Sequence, residues 1–202
     1  MINIIKVYAA DHYYHAYSRG VARQQVFFDD QDYTYFLSLL KRYLSAEPAK
    51  HSGHGVYPHY GKRIVLLAYC LMSNHIHLLL YQKDETAMVE FMRSLMTSYS
   101  MYFNKKYRRV GPVFQSRYRA SLISQDNYLE HITRYVHLNP KDWESYPFSS
   151  INYYKGLATA EWISPEKILE LFPNKDQYIE FVRDYEGYKA MLDEIHWELA
   201  DQ

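Results

Sequence analysis

Two histidines one residue apart, His75 and His77, open an apolar run that ends near Gln82. Side chains alternate between the two faces of a β-strand, so both imidazoles would lie on one face and Ile76 on the other. Imidazoles spaced in this way can bind one divalent metal ion together. The pair alone is a weak signal, because many such histidines are only hydrogen-bonded or exposed. A metal site is expected where other residues bring further polar groups to the same face.

A helical segment further along the chain offers such groups. Tyr135 and Asn139 are four residues apart, and this spacing places them on one face of a helix. A tyrosine can act as a nucleophile and form a covalent intermediate when its target is activated. A metal ion held by neutral histidines keeps most of its charge and can polarise a phosphodiester. An amide oxygen is a suitable third ligand for a hard cation such as Mg²⁺ or Mn²⁺.

The elements that must position these residues follow the order strand, helix, strand, strand, helix, strand. Alternation and apolar runs predict strands over residues 12–19, 63–69, 75–82 and 114–123. Apolar residues at helical spacing predict helices over 30–45 and 84–107. This order is typical of an α+β, ferredoxin-like βαββαβ sheet with both helices on one face. The first and third strands are then central, and we expect the histidines on the exposed face opposite the two helices.

A third helix is predicted over residues 127–137, after a cap at Ser124-Gln125-Asp126 and before Pro140. Beyond it, residues 141–156 are rich in aromatic side chains, and we expect this loop to wrap the edge of the sheet. Further helices are predicted over 165–172 and 175–200. These patterns divide the chain into a body over residues 8–140 and a C-terminal extension over 141–202 that packs on it.

Charge is distributed unevenly although the formal net charge is zero. Residues 1–125 hold 16 Lys and Arg against 8 Asp and Glu, whereas residues 126–202 hold 7 against 15. A basic body with an acidic C-terminal part permits a phosphate-binding face, because local patches set the field. The sequence contains one cysteine, Cys70, and no apolar run of about 18 residues. We expect a cytoplasmic protein without a membrane partner.

Four stretches of the sequence resemble the HUH-type single-tyrosine transposases, and most closely the REP-associated tyrosine transposases. His-x-His alone is common, whereas the four stretches in this order and spacing are specific. The resemblance covers roughly residues 8–155. The stretches are Tyr14-His15-Ala16-Tyr17-Ser18-Arg19-Gly20, Leu71-Met72-Ser73-Asn74-His75-Ile76-His77-Leu78-Leu79, Gly111-Pro112-Val113-Phe114-Gln115-Ser116-Arg117-Tyr118 and Arg134-Tyr135-Val136-His137-Leu138-Asn139-Pro140.

The resemblance implies a function and assigns roles to residues of this chain. His75 and His77 match the two metal ligands of the family, Asn139 matches the polar residue that completes the site, and Tyr135 matches the nucleophile. The family cuts single-stranded DNA next to a hairpin through a 5′-phosphotyrosine intermediate and needs no nucleotide cofactor. Two arrangements stay open at this point: a site built within one chain, or one built by helix exchange in a homodimer.

Several side chains compete for roles in this site. Tyr118 and Tyr128 are alternative nucleophiles. His131 either accepts the proton of Tyr135 or contacts the metal, or it is only a surface histidine. His137 falls about 200° around the helix from Tyr135 and is not expected in the site. A loop holds three more histidines, which form either a second metal cluster or a solvated segment: His51, His54 and His59.

Cations and tyrosines supply the expected DNA contacts. Lysines and arginines would meet phosphates, and tyrosines would stack on unpaired bases. The basic end of the second long helix is open to two interpretations, a solvated helix terminus or a phosphate-binding patch. The cations expected to bind DNA are Arg19, Lys105, Arg108, Arg117 and Arg119.

Two other functions fit parts of the pattern. A ferredoxin-like sheet with aromatic residues is also the plan of RNA-binding domains, so a non-catalytic nucleic-acid-binding protein is the alternative. Against it, no Lys/Arg-Gly-Phe-type strand signature occurs, and the two histidines would have no role. A metal-dependent phosphodiesterase that activates water is the third possibility, and it would form no covalent protein–DNA species.

Overall fold

The structure, a computed structural model, describes residues 8–51, 55–123 and 126–184. All four strands and the two longest helices lie in the first two thirds of the chain, and every element after β4 is a helix. In chain order they are β1 (His12–Arg19), a 3₁₀ turn (Val21–Arg23), α1 (Asp30–Leu44), β2 (Ile64–Met72), β3 (His75–Gln82), α2 (Ala87–Lys106), β4 (Arg119–Ile123), α3 (Asp126–His137), α4 (Ile151–Tyr154), α5 (Glu166–Leu169) and α6 (Lys175–Arg183).

The four strands form one antiparallel sheet in the order β2-β3-β1-β4. β1 and β3 are therefore the central strands, and the predicted α+β, ferredoxin-like βαββαβ fold is confirmed. The hairpin between β2 and β3 has a two-residue turn, Ser73-Asn74, with Met72 opposite His75. Three backbone amides from residues 20–27 donate to the carbonyls of this turn, at 2.8 to 3.1 Å, and hold it in place.

One face of the sheet packs against α1 and α2. Ile76, Leu78 and Leu80 of β3 point to this side and are completely buried. They meet apolar side chains of both helices, among them Phe36 and Phe91. Burial of each such side chain contributes roughly 1.5–3 kcal/mol to folding. Because the residues alternate, this packing fixes which side chains of β3 face the other way.

The opposite face is covered by α3, which contacts β2, β3 and β4. Leu67 and Leu79 of the sheet pack there with Ile132 and Val136 of the helix. The expectation that the histidines lie on a solvent-exposed face is therefore wrong, because the amphipathic third helix packs its apolar side on the sheet. The histidines lie at one end of this covered face, where a cleft opens.

The aromatic segment after α3 runs along the outer edge of β2, as predicted. Leu71 N donates to Phe148 O and Ser150 N donates to Tyr69 O, each at 2.9 Å. The segment thus pairs with the free backbone groups of an edge strand. Further along the chain, Tyr178 of α6 is fully buried in the apolar cluster that also contains Ile132 and Val136 of α3. The rest of the helix predicted over 175–200 lies outside the described residues, as do Ser124 and Gln125 of the predicted cap.

β4 is shorter than predicted, and this changes the position of Arg117. Arg119 pairs with Tyr17, so a continuous ladder would bring Arg117 opposite Arg19. Instead, the carbonyl of Arg19 accepts from Gln115 N at 2.8 Å. Two extra residues must therefore leave the ladder, and residues 115–117 form bends. The expectation that Arg117 and Arg119 share one strand face is wrong.

Among the described residues, none of the helices combines the length and the apolar character that crossing a lipid bilayer requires.

Candidate active site

A cleft of about 580 Å³ opens where the ends of β1 and β3 meet the end of α3. Most of its lining side chains are polar, aromatic or cationic. The residues that line it are Tyr17, Ser18, Arg19, Arg23, His75, His77, Gln115, Ser116, Arg119, Tyr135 and Asn139. The structure thus brings the two histidines, the tyrosine and the amide singled out in the sequence into one cavity of a single chain.

The histidine pair has the arrangement that strand alternation predicts. The ring centroids of His75 and His77 are 4.9 Å apart, with an angle of 88° between the ring planes. His75 is half-buried, whereas only 4% of His77 is exposed. The pinned hairpin turn sets the register of β3, so both rings are held at fixed positions in the cleft.

Asn74 fixes the orientation of the His75 ring. Its side-chain amide donates to the carbonyl of Arg23 at 3.3 Å, so its oxygen faces His75. That oxygen lies 2.6 Å from Nδ1 of His75, and Nδ1 must therefore carry the proton of this hydrogen bond. In a neutral His75 ring, Nε2 is then an acceptor.

The Nε2 atom of His75 faces a second acceptor. Oδ1 of Asn139 lies 3.2 Å away, and the Asn139 amide is oriented by its Nδ2–H, which donates to the carbonyl of Tyr135 at 3.1 Å. Two acceptors at this distance repel unless a cation lies between them or the ring takes up a second proton. Adjacent ligands of an octahedral Mg²⁺ ion are about 3 Å apart. The donor set and its spacing therefore fit a hard divalent cation.

The ring of His77 contacts His15, a residue of the neighbouring strand β1. Nε2 of His15 lies 2.9 Å from Nδ1 of His77, and the two rings are nearly parallel with centroids 5.0 Å apart. His15 is 1% exposed, and burial lowers its pKa to about 3, so its ring is neutral. The sequence motifs predict no role for His15, although its alternation with Tyr17 and Arg19 on one strand face is a usable signal.

Tyr135 projects from the last turn of α3 towards the histidines. Its ring centroid is 5.5 Å from that of His77 and 5.8 Å from that of His15, both edge to face. Burial raises the pKa of the phenol, while a hydrogen bond with the Asn139 side chain and the charge of Arg19 oppose that shift. The phenol is thus protonated at neutral pH, beside groups that favour its anion.

Three arginines give the cleft a positive wall. Arg19 and Arg119 line it, as the sequence suggested for DNA contacts. Arg23 lines it too and was missed, because its position depends on two consecutive residues with positive φ, Ala22 at 51° and Arg23 at 60°. The other expected DNA-binding cations, Lys105, Arg108 and Arg117, are exposed but do not line the cleft.

The competing side chains lie elsewhere. Tyr118 stacks on Tyr8, and Tyr128 is 37% exposed outside the cleft lining. His131 contacts Arg134 and Phe181 on the far side of α3, so the interpretation that it serves Tyr135 is not supported by its position. His137 is buried against Tyr178 and Ser150, outside the cleft as expected.

The loop histidines do not form a metal site in the part of the chain that the structure describes. No group of three or more His, Cys, Asp or Glu side chains placed to hold a metal occurs among the described residues. His59 contacts the carbonyl of Ser45, and His51 packs against Tyr57. His54, the third member of the predicted alternative cluster, lies outside the described residues.

Comparisons with known proteins agree with this fold. Residues 55–139, which contain both histidines, Tyr135 and Asn139, match the sequence model of the family described as "Transposase IS200 like". None of the curated proteins matches the chain.

Two solved structures are similar to this chain at low sequence identity, and the first of them supports the fold. A REP-associated tyrosine transposase, solved bound to a REP hairpin, is 16% identical, with a TM-score of 0.54 over 81% of this chain and 92% of the other. A candidate transposase from Deinococcus radiodurans R1 is 16% identical, with a TM-score of 0.41 over 65% of this chain and 92% of the other.

Proposed function

We propose that this chain, which belongs to the IS200-like transposase family, cuts and rejoins single-stranded DNA through a covalent bond to Tyr135. In this proposal residues 8–140 form the catalytic body and residues 141–202 an extension packed on it. The DNA is a strand next to a hairpin, because the neighbouring structure of the same fold is bound to a REP hairpin. The metal ion is Mg²⁺ or Mn²⁺, with His75, His77 and Asn139 as its ligands.

The observation that carries the proposal is the convergence of a phenol and a set of metal-binding groups in one positively charged cleft. Tyr135 lies against His77, and Asn139 lies against His75 with acceptor facing acceptor. Each element alone has a structural explanation. Together they supply a nucleophile, a place for a cation and arginines for phosphates.

The residues of the chain divide the reaction between them. Arg19, Arg23 and Arg119 bind the phosphates of the strand and bring the scissile phosphate beside the phenol. The oxygen of Tyr135 then bonds to phosphorus and loses its proton, while the bond from phosphorus to the 3′ oxygen breaks. The departing strand takes up a proton as a 3′-hydroxyl, and the 5′ end remains on Tyr135. A divalent cation held by His75, His77 and Asn139 would polarise the phosphate and offset the charge that develops on it.

The reverse reaction rejoins DNA. A 3′-hydroxyl, from the same strand or another, attacks the phosphotyrosine and releases the phenol. The covalent bond conserves the energy of the phosphodiester, so no nucleotide cofactor is required. The raised pKa of the Tyr135 phenol fits this cycle, because the protonated phenol is a stable resting state before cleavage and after rejoining, when no DNA is bonded to Tyr135.

Two features of the structure disfavour the alternatives. RNA-binding domains of this sheet plan stack bases on the open face of the sheet. In this protein α3 covers that face, and side chains such as Leu67 and Leu79 are buried beneath it. A phosphodiesterase that uses water would have no need of a phenol buried beside the histidines.

The test is a search for a covalent adduct. The full chain is incubated with Mn²⁺ and a single-stranded oligonucleotide that carries a hairpin and a label on the 3′ side of the cut, and a denaturing gel is run. We expect a labelled protein band with the wild type and none with Tyr135→Phe, a loss of at least 10³-fold, because phenylalanine has no oxygen to bond to phosphorus.

Tyr128→Phe is the matched control, since Tyr128 lies on the same helix but outside the cleft. It should form the adduct as the wild type does. An adduct that persists in Tyr135→Phe and disappears in Tyr128→Phe would assign the nucleophile to the other tyrosine. Cleavage by the wild type with no trapped adduct would favour the water-using phosphodiesterase.

A further inference from the structure

We propose that His15 is a positioning residue: its Nε2 accepts the Nδ1–H of His77 and holds that ring in the tautomer whose Nε2 can bind a metal ion. This inference rests on the proposed function, since it concerns the metal site of the same cleft. It assigns a role to a residue outside the predicted ligand set, one that never touches the metal itself.

The contact between the two rings is specific. Nε2 of His15 and Nδ1 of His77 are 2.9 Å apart, within normal hydrogen-bond range. The strand register explains it, because His15 lies opposite Leu79 and is therefore a diagonal neighbour of His77 across β1 and β3. The rings are nearly parallel, at 12°, and both are more than nine-tenths buried. Neither ring can turn away without loss of packing.

The hydrogen bond decides which nitrogen of His77 carries the proton. A neutral imidazole has one donor and one acceptor nitrogen. If Nδ1 of His77 donates to His15, its Nε2 is an acceptor and can bind a cation. If His15 donates instead, Nε2 of His77 carries the proton and cannot bind one. His75 is fixed in the corresponding tautomer by Asn74, so the site needs the same of His77.

His15 can accept this hydrogen bond, but the acceptance has a cost in free energy at its other ring nitrogen. When its Nε2 accepts, its Nδ1 must carry the proton, and Nδ1 has no hydrogen-bond partner among the described residues. The stacked Tyr17 and the edge of Tyr135 enclose the ring on other sides. An unpartnered buried N–H is costly, and a merely structural position here would be filled better by an apolar side chain of the same size.

That comparison gives the experiment, which uses the full chain, Mn²⁺ as the probe and electron paramagnetic resonance to measure binding. His15→Phe keeps the volume and removes the acceptor, whereas His15→Gln keeps an acceptor oxygen near the position of Nε2. We expect His15→Phe to weaken Mn²⁺ binding about 10- to 100-fold and His15→Gln to stay within about threefold of the wild type. Thermal unfolding without metal should show the opposite order, with His15→Phe at least as stable.

A measurement on the wild type covers the case in which a variant does not fold. Long-range ¹H–¹⁵N correlation spectra in Mg²⁺ should show His77 protonated at Nδ1 and not at Nε2. Protonation at Nε2 would overturn the proposal, and so would unchanged Mn²⁺ affinity in a folded His15→Phe or equal losses in both variants.

The variant His75→Ala separates this inference from the proposed function. It should lose Mn²⁺ binding, because it removes a ligand. If the wild type and His75→Ala bind Mn²⁺ equally, the metal site of the proposed function is wrong. If only His75→Ala binds more weakly and His15→Phe does not, the metal site stands and the role of His15 is wrong.

Discussion

At the scale of single residues, Arg23 connects the backbone of a strained turn with the chemistry of the cleft. Its carbonyl accepts from Asn74, which in turn orients His75, and its side chain lines the cleft. Positive φ angles at Ala22 and Arg23 make both contacts possible. Strain of this kind costs about 1–3 kcal/mol per residue and is typical of functional sites.

We predict that Arg23→Gln weakens the binding of single-stranded DNA without a change in metal affinity. Glutamine keeps the backbone carbonyl that holds Asn74 but removes the charge. If Arg23 meets one phosphate, the slope of log K against log salt concentration should fall in magnitude by about 0.7. The measurement is fluorescence anisotropy over a range of salt concentrations.

Lys167→Gln is the control for this prediction, because Lys167 is an exposed cation of α5 outside the cleft. It should leave both affinity and slope unchanged. Equal effects of the two substitutions would mean that Arg23 contributes only to the general field of the protein.

At the scale of elements, Arg63 ties the start of β2 to the start of α2. Its guanidinium makes two hydrogen bonds of 2.7 Å to Asp84 and one of 2.6 Å to Glu90, and it also donates to Thr86 at 2.7 Å. These contacts cross from the sheet to the helix that packs beneath it. The hydrogen bonds from Arg63 hold the pKa values of Asp84 and Glu90 below their usual range.

The lowered pKa values predict a loss of stability in acid. A carboxylate whose pKa is lower in the folded state stabilises the protein above its unfolded pKa, and this contribution disappears as the pH falls from about 5 towards the folded value. Arg63→Met should therefore reduce the free energy of unfolding at pH 7 and flatten its decline between pH 5 and 3. The partners are partly exposed, so the effect at pH 7 should be about 1 kcal/mol or less.

Urea unfolding at pH 7, pH 5 and pH 3 provides the measurement. Lys62→Met is the matched control, since Lys62 is the exposed neighbour of Arg63 and should change stability by less than about 0.5 kcal/mol. A decline between pH 5 and 3 that is as steep in Arg63→Met as in the wild type would contradict the prediction.

At the scale of the whole molecule, residues 141–184 are continuous with the core of the preceding part of the chain. Tyr154 and Tyr178 are completely buried, and Tyr178 shares a hydrogen bond of 2.6 Å with His137 of α3. Backbone hydrogen bonds join residues 148–150 to β2. Because of these contacts, the predicted boundary at residue 140 divides the sequence, but the side chains on its two sides pack together.

We therefore predict a single cooperative unfolding transition for the full chain. The three tryptophans, Trp143, Trp162 and Trp197, all belong to residues 141–202, so their fluorescence reports on that part and on its contacts with the body, such as that of Trp162 with Tyr69. Far-ultraviolet circular dichroism reports on the whole chain. The two urea midpoints should coincide to within about 0.2 M, within the error of such fits. An earlier fluorescence transition would mean that the extension unfolds by itself.

The sequence alone predicted the elements whose pattern is local. An aromatic run that ends at Gly20 indicates β1, an apolar run after a turn indicates β3, and helical spacing indicates α1, α2 and α3. The pattern of residue types also points to the two histidines and Tyr135. What it could not supply depends on partners distant in the chain. The contact of His15 with His77 depends on the register of β1 against β3. β4 is short because two residues before it leave the ladder with β1, and only the register of that pairing shows this.

The two-residue turn at Ser73-Asn74 has a consequence for changes in the length of the chain. Its carbonyls are held by three amides from outside the hairpin, so the strand that follows cannot slide to absorb an extra residue. One amino acid inserted between Asn74 and His75 would exchange the two faces of β3. Both imidazoles would then enter the apolar layer between the sheet and the helices α1 and α2, and Ile76 would enter the cleft. Two inserted residues would leave the two histidines on the cleft side of β3. A single inserted residue would remove the candidate metal site and disrupt the packing of the core at the same time.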